Sequence, residues 1–224
     1  MISLLPFHLI SYVSFVIATT ANVFLMFLLT NRSTVNLGLY KRLMICFAGA
    51  SILYSLADVT YLPLVMPKPG GYVTFSTGPL GYSGCKDYLG AIYCTVYSNL
   101  TLMLAIHFVY RYISVCKSQK LYLFKGFYVL MWIIPVSIAN VMWFLMIIFL
   151  TDKNEEHVDD LRWKIIRTYG LDFKETTYFA IMFYYVENGV KKIHVNSIIC
   201  IAWCLLVQFI TIVVIVFCAS FEHH

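Results

Sequence analysis

Apolar residues along this chain fall into five long blocks, residues 5–29, 43–66, 88–115, 127–150 and 196–219, separated by shorter polar links. Each block is about as long as a helix must be to cross the ~30 Å hydrocarbon layer of a bilayer. The pattern predicts an all-α membrane protein, a bundle of five transmembrane helices forming one integral domain over residues 1–224. Composition points the same way, since 61% of residues are hydrophobic, 12% are charged and the mean hydropathy is +0.79. Such a chain has little polar surface to offer water, and five spans with their links leave no room for an added soluble domain. The first block outruns the apolar core of a cleavable leader and has no basic region before it, so it reads as a retained anchor.

Charge in the links sets orientation. The link between spans one and two carries Arg32, Lys41 and Arg42 without an acid, and that between three and four carries Arg111, Lys117, Lys120 and Lys125, again without an acid. The 67–87 link instead has Lys68, Lys86 and Asp87, and the long 151–195 segment mixes seven bases with eight acids. Positive links stay in the cytoplasm, so the N-terminus lies outside and the 151–195 loop is an outer loop before span five. The net charge of +5 is spread over links rather than gathered beside stacking aromatics, which argues against a nucleic-acid partner. Asn31-Arg32-Ser33 then falls on the cytoplasmic side and Asn99-Leu100-Thr101 within a span, so neither triplet accepts a glycan.

The outer loop carries the only sizeable polar sequence. Residues 154–169 read as a short helix with Val158, Leu161, Ile165 and Ile166 along one side. Residues 178–186, then Glu187-Asn188-Gly189, then 190–193 read as a β-hairpin, because both positions of an Asn-Gly turn tolerate positive φ. Such a hairpin is either a lid over the mouth of the bundle or a mobile amphipathic loop. Glu155, Glu156, His157, Asp159 and Asp160 suit a solvated helix start better than a cation site.

Chemistry-bearing side chains are sparse. Of seven cysteines, Cys46, Cys94, Cys200, Cys204 and Cys218 lie in apolar blocks, Cys116 ends the third and Cys85 stands in a link. No CxxC pair occurs; Cys200 and Cys204 sit one turn apart, a spacing a metal could use, although packing as small hydrophobes is the simpler account. No HExxH, GxSxG, P-loop or paired intramembrane carboxylate is present, so no enzyme site, metal or cofactor is expected. Polar groups inside spans are costly unless paired or facing a cavity. Asp58 is the clearest, flanked at helical spacing by Ser51, Tyr54, Ser55 and Tyr61: it belongs either to a ligand cavity or to a hydrogen-bonded packing contact. Span three offers Tyr93, Tyr97, Asn99 and Thr101 toward the outside, with His107 and Arg111 on one face toward the cytoplasm; histidine there bonds a neighbouring helix and arginine snorkels. Asn22 in span one is a further interhelical polar group. Pro63 ends or bends span two, and Pro135 interrupts span four.

Several segments together resemble the nematode seven-helix chemoreceptors of the serpentine receptor class Str: residues 36–44 (Asn-Leu-Gly-Leu-Tyr-Lys-Arg-Leu-Met), Tyr54-Ser-Leu-Ala-Asp58, His107-Phe-Val-Tyr110-Arg111-Tyr112, and the long loop before span five. The likeness runs in order through most of the chain, and the five spans match the first five helices of such a receptor. It implies a G-protein-coupled chemosensory receptor, in the plasma membrane of a sensory neuron and its cilium, that detects a small odorant-like molecule. Asp58, Tyr61, Tyr93 and Tyr97 are then the ligand-binding candidates. Tyr110, Arg111 and Tyr112 match the motif at the inner end of span three that switches toward a heterotrimeric G protein. Membrane lipid is a partner and a receptor dimer a further arrangement. The chain departs from the pattern where Tyr110 replaces the acid before the arginine, where the outer loop lacks its cysteine, and at His224, where it stops after span five. The alternative is a truncated, non-signalling form that regulates full-length relatives.

Overall fold

The computed structural model describes residues 3–31, 38–82, 86–151, 159–172, 175, 177–187 and 190–222. Helices α1 (Leu5–Asn31), α2 (Gly38–Tyr61), α3 (Lys86–Cys116), α4 (Leu130–Leu150) and α6 (Val195–Glu222) account for the five apolar blocks, and α5 (Asp159–Tyr169) is the short helix of the long loop. The five long helices are each long and apolar enough to span a bilayer. Helix α3 is the hub, packing on α2, α4 and α6, whereas α1 leans on α2. Apolar side chains such as Ile10, Val13 and Ile17 of α1 and Leu205, Phe209 and Ile212 of α6 point away from the bundle. In hydrocarbon such a surface is solvated and only the backbone must be satisfied internally, which helices achieve.

Span two stops five residues earlier than the hydropathy suggests, and β-structure takes over. Strands β1 (Pro63–Lys68) and β2 (Gly71–Ser76) form an antiparallel hairpin across Pro69-Gly70, with Gly70 at φ +88°. Proline then glycine with positive φ suits a two-residue turn. The helix ends because Pro63 cannot continue it and forces its predecessor out of the right-handed region; Leu62 sits at φ +45°. Its last carbonyls are taken up by the far end of β2. Ser76 Oγ donates to Tyr61 O (2.5 Å), Thr77 N and Oγ1 donate to Leu62 O (3.0 and 2.9 Å), and Gly78 N donates to Tyr61 O (3.1 Å).

The residues expected to make one hairpin are divided between two sheets. Strand β3 (Tyr178–Met182) pairs with β2, giving the order β1-β2-β3, while β4 (Tyr184–Glu187) pairs with β5 (Val190–Ile193) as the anticipated hairpin. The break falls at Phe183, whose N–H reaches Gly70 O (2.6 Å) and whose carbonyl accepts from His194 N (3.0 Å). Prolines 63 and 67 are tolerated because β1 is an edge strand. Strands β2 and β3 of the three-stranded sheet are largely buried on both faces, while the edge strand β1 is partly exposed. Val73, Phe75, Ala180 and Met182 face Ile165 of α5, while Phe179, Ile181 and Tyr72 face the bundle with Ala91, Trp143, Ile147 and Cys200. Burial raises the Tyr72 phenol above its ordinary pKa. A bidentate Arg162–Asp172 ion pair (2.5–3.1 Å) ties α5 to the chain that follows it.

Polar groups in the helices resolve in different ways. Among the described residues Asn22 makes no hydrogen bond to a neighbouring helix; its Nδ2 bonds Ala18 O one turn back (2.8 Å). Asn140 Nδ2 of α4 does cross, donating to Asn99 Oδ1 of α3 (3.0 Å). The described cysteines Cys46, Cys94, Cys116, Cys200, Cys204 and Cys218 are thiols, not disulfides. No cluster of three metal-ligating side chains occurs among the described residues. Cys85, Arg32 and Ser33 of the 31–33 triplet and the acidic cluster's Glu155, Glu156 and His157 lie outside the described residues, as do the side chains of Asp159, Asp160 and Leu161 and all of Val158 and Asn188-Gly189.

Candidate functional site

Two aromatic clusters sit at opposite ends of α3. Near the sheets, α2 and α3 bring three of the four ligand candidates into one group. Tyr93 Oη donates to Asp58 Oδ1 (3.2 Å), and its ring stacks on Tyr61 (5.0 Å between centroids, 21° between planes). Asp58 is half-buried, and among the described residues its second oxygen takes no hydrogen bond. The hydroxyls flanking Asp58 on its own helix do not serve it: Ser55 Oγ turns back to Ser51 O (2.9 Å). The packing partner is across the interface, on α3.

Tyr54 is the member that sequence spacing placed beside Asp58 without marking as a site residue. Its ring approaches both Tyr93 (6.1 Å) and Tyr97 (5.9 Å), and its hydroxyl lies 3.5 Å from that of Tyr93. Among the described residues Tyr97 joins through Tyr54, and it is 42% exposed. Tyr61 is buried, and its hydroxyl finds no hydrogen-bond partner among the described residues. A small recess of about 30 Å³ opens beside Ala57, Thr60, Leu80, Leu89 and Ile92, against Tyr61 and Tyr93. That is room for a water or two, so the cluster is filled by its own rings. Gly90 permits this closeness: a Cβ there would meet Phe179 Cδ1 of β3 at 2.9 Å and Tyr61 Oη at 3.1 Å. No sequence signal marks Gly90, because its neighbour Phe179 arrives from far along the chain.

At the other end of α3, Tyr110, Arg111 and Tyr112 are consecutive, so at ~100° per residue Tyr110 and Tyr112 look in nearly opposite directions. Tyr110 is buried, stacked on Tyr40 of α2 (5.5 Å, 19°) and edge-on to Phe124 (5.1 Å). Phe124 in turn stacks on Trp132 (4.8 Å), whose Nε1 donates to Leu123 O (3.0 Å). Tyr112 meets Phe217 and Phe221 of α6 edge-on (5.9 and 6.0 Å). Arg111 lies between these two contacts and is exposed. One turn above, His107 Nε2 lies 3.3 Å from Leu43 O of α2, the interhelical bond its position suggested. The arginine is thus flanked by aromatic anchors to α2 on one side and α6 on the other.

Both clusters are built of hydrogen-bonding and aromatic groups with no nucleophile–base pair or metal set, an arrangement suited to binding and packing rather than covalent chemistry. The family described as "Serpentine type 7TM GPCR chemoreceptor Str" matches residues 7–224. Among similar proteins are "Serpentine receptor class r-10" of Caenorhabditis briggsae, 30% identical over 84% of this chain and 55% of the relative, and its Caenorhabditis elegans counterpart, 30% identical over 88% and 58%. "G-protein coupled receptor str-33" of Caenorhabditis elegans is 23% identical over 94% of this chain and 62% of the relative. The chain therefore spans a little over half the length of the curated relatives it matches. No solved structure matches it. Multi-pass and helical, the chain belongs to the nematode serpentine seven-transmembrane chemoreceptors of class Str, a family of G-protein-coupled-receptor type.

Proposed function

We propose that this receptor recognises a small molecule at the Asp58–Tyr93 cluster and signals to a heterotrimeric G protein through Tyr110, Arg111 and Tyr112. The observation that carries the reading is that one unbroken helix, α3, carries Tyr93 of the first group near one end and Tyr110, Arg111 and Tyr112 near the other, while α2 supplies Asp58 to the first and Tyr40 to the second. Tyr93 and Tyr110 are about 25 Å apart along α3 at 1.5 Å per residue. A ligand that competes with Tyr93 for Asp58 shifts the α2–α3 contact near the sheets. The same two helices meet again at Tyr40–Tyr110, so a change at one end biases the other, provided the ligand binds the two arrangements unequally. Tyr54, Tyr61 and Tyr97 supply aromatic faces that favour a compact apolar molecule with one polar group able to meet the carboxylate. The receptor is a single domain in the plasma membrane, N-terminus outside, with the ciliary membrane of a sensory neuron as its working site; the acid-free links at the end away from the sheets support that orientation.

The test is a second-messenger assay in cells expressing the chain, run against a panel of volatile small molecules with surface level monitored. Asp58→Asn should weaken the response to an active compound by about tenfold, the scale of one charge-assisted hydrogen bond. Arg111→Ala should abolish signalling while leaving binding of that compound in place. Unchanged signalling in both variants would remove the proposal.

A further inference from the structure

A groove lies away from the tyrosine cluster, at the basic end of the bundle between α3, α6 and the 3-10 turn Ser118–Phe124. It offers about 400 Å³, within the range of small-molecule and lipid sites. Its walls are aliphatic and aromatic, with Ile113 of α3, Leu123 of the turn, and Val214 and Phe217 of α6 among them. Two cations, Lys117 and Lys120, stand on the same lining and are exposed.

The geometry holds these charges at the rim. Lys117 follows directly on the last residue of α3, and its N–H still bonds Ile113 O (3.1 Å). Its Nζ lies 5.7 Å from the centre of the Tyr112 ring, a ring itself braced by Phe217 and Phe221. Lys120 N bonds Lys117 O (2.8 Å), which fixes the spacing of the two lysines on the 3-10 turn. The thiol of Cys116 donates to Phe221 O (3.3 Å) and ties the ends of α3 and α6 together beside the groove. From Arg111 to Lys125 the sequence contains four bases and no acid, so no carboxylate on this segment repels an anion brought to it or pairs with the lysines in its place.

An apolar groove with a cationic rim calls for an occupant that is apolar at one end and negative at the other. We propose that this groove binds an anionic phospholipid, its headgroup phosphate between Lys117 and Lys120 and an acyl chain along Ile113, Val214 and Phe217. Juxtamembrane lysines gain about 1 kcal/mol each from an anionic leaflet, about fivefold in affinity per lysine. The apolar chamber converts that surface attraction into a site with a definite stoichiometry.

The experiment uses the full chain in nanodiscs of equimolar phosphatidylcholine and phosphatidylserine, released gently for native mass spectrometry, with retained lipid counted per protein. The expected result is preferential retention of one phosphatidylserine, reduced about fivefold by Lys117→Gln or Lys120→Gln. Lys125→Gln, on the same link but outside the lining, should leave it unchanged. Val214→Trp, which fills the apolar half without altering charge, should lower retention of the lipid as well. Millimolar inorganic phosphate should fail to displace it. Equal retention of both lipids, an equal loss in Lys125→Gln, indifference to Val214→Trp because a protein segment or nothing fills the chamber, or displacement by phosphate alone would each overturn the proposal. Circular dichroism of every variant separates loss of the site from loss of the fold, and the single lysine variants stand if Val214→Trp fails to fold.

Discussion

Tyr61 and Tyr93 stack on one another, yet their hydroxyls stand in opposite situations. Tyr93 donates to a half-buried carboxylate, whereas the buried Tyr61 hydroxyl has no partner among the described residues. Removing a donor from a buried charge or polar group costs the desolvation of what is left behind; removing a hydroxyl that bonds nothing relieves a cost. Tyr93→Phe should therefore destabilise the receptor by about 1–3 kcal/mol. Tyr61→Phe should be neutral or raise the midpoint slightly. Thermal unfolding in detergent micelles reads both, and the opposite ranking would show that the Asp58 contact does not matter to packing. Asp58 was legible in the sequence because an acid in an apolar block has few explanations. Its partner was not, since hydroxyls on the same helix and on the next look alike until the helices are docked.

Helices were easier to foresee than strands for a physical reason. A membrane helix satisfies its backbone within one contiguous apolar segment, so hydropathy and length suffice to find it. A strand needs a partner, and β2 finds one of its two about a hundred residues downstream, in β3. The Asn-Gly turn announced β4 and β5 locally, but the apolar run before it belongs to the other sheet, and no local pattern marks Phe183 as the break. The Pro69-Gly70 turn was a signal of the same kind as Asn-Gly, and it lay in a link read mainly for its charge. The glycines that admit these contacts make the element-scale prediction. A Cβ on Gly71 would run into Ile181 O of β3, and one on Gly78 into Thr60 O at the end of α2. Gly71→Val should disrupt β2–β3 pairing and Gly78→Ala the cap of α2, each costing about 1–3 kcal/mol or more as overpacking against backbone that cannot retreat. Surface expression and the unfolding midpoint should fall in both, whereas alanine at Gly49, with nothing within 4 Å of its Cβ position, should leave them unchanged.

At the scale of the molecule, the described strands and α5 gather between the ends of helices that face one way, and the exposed lysines 117, 120 and 125 stand at the ends that face the other. Epitope tags inserted after Lys120 and after Gly170 should report opposite sides of the membrane in intact and permeabilised cells, the first inside and the second outside. Detection of both on one side would contradict the five-span threading itself. Placing β2 between β1 and β3 also has a practical consequence for exchanging parts among related receptors. The link after α2 and the link before α6 form one sheet with a common core, so neither is an autonomous graft. A chimera that imports one of them from a relative should misassemble, and one that imports both together should mature normally.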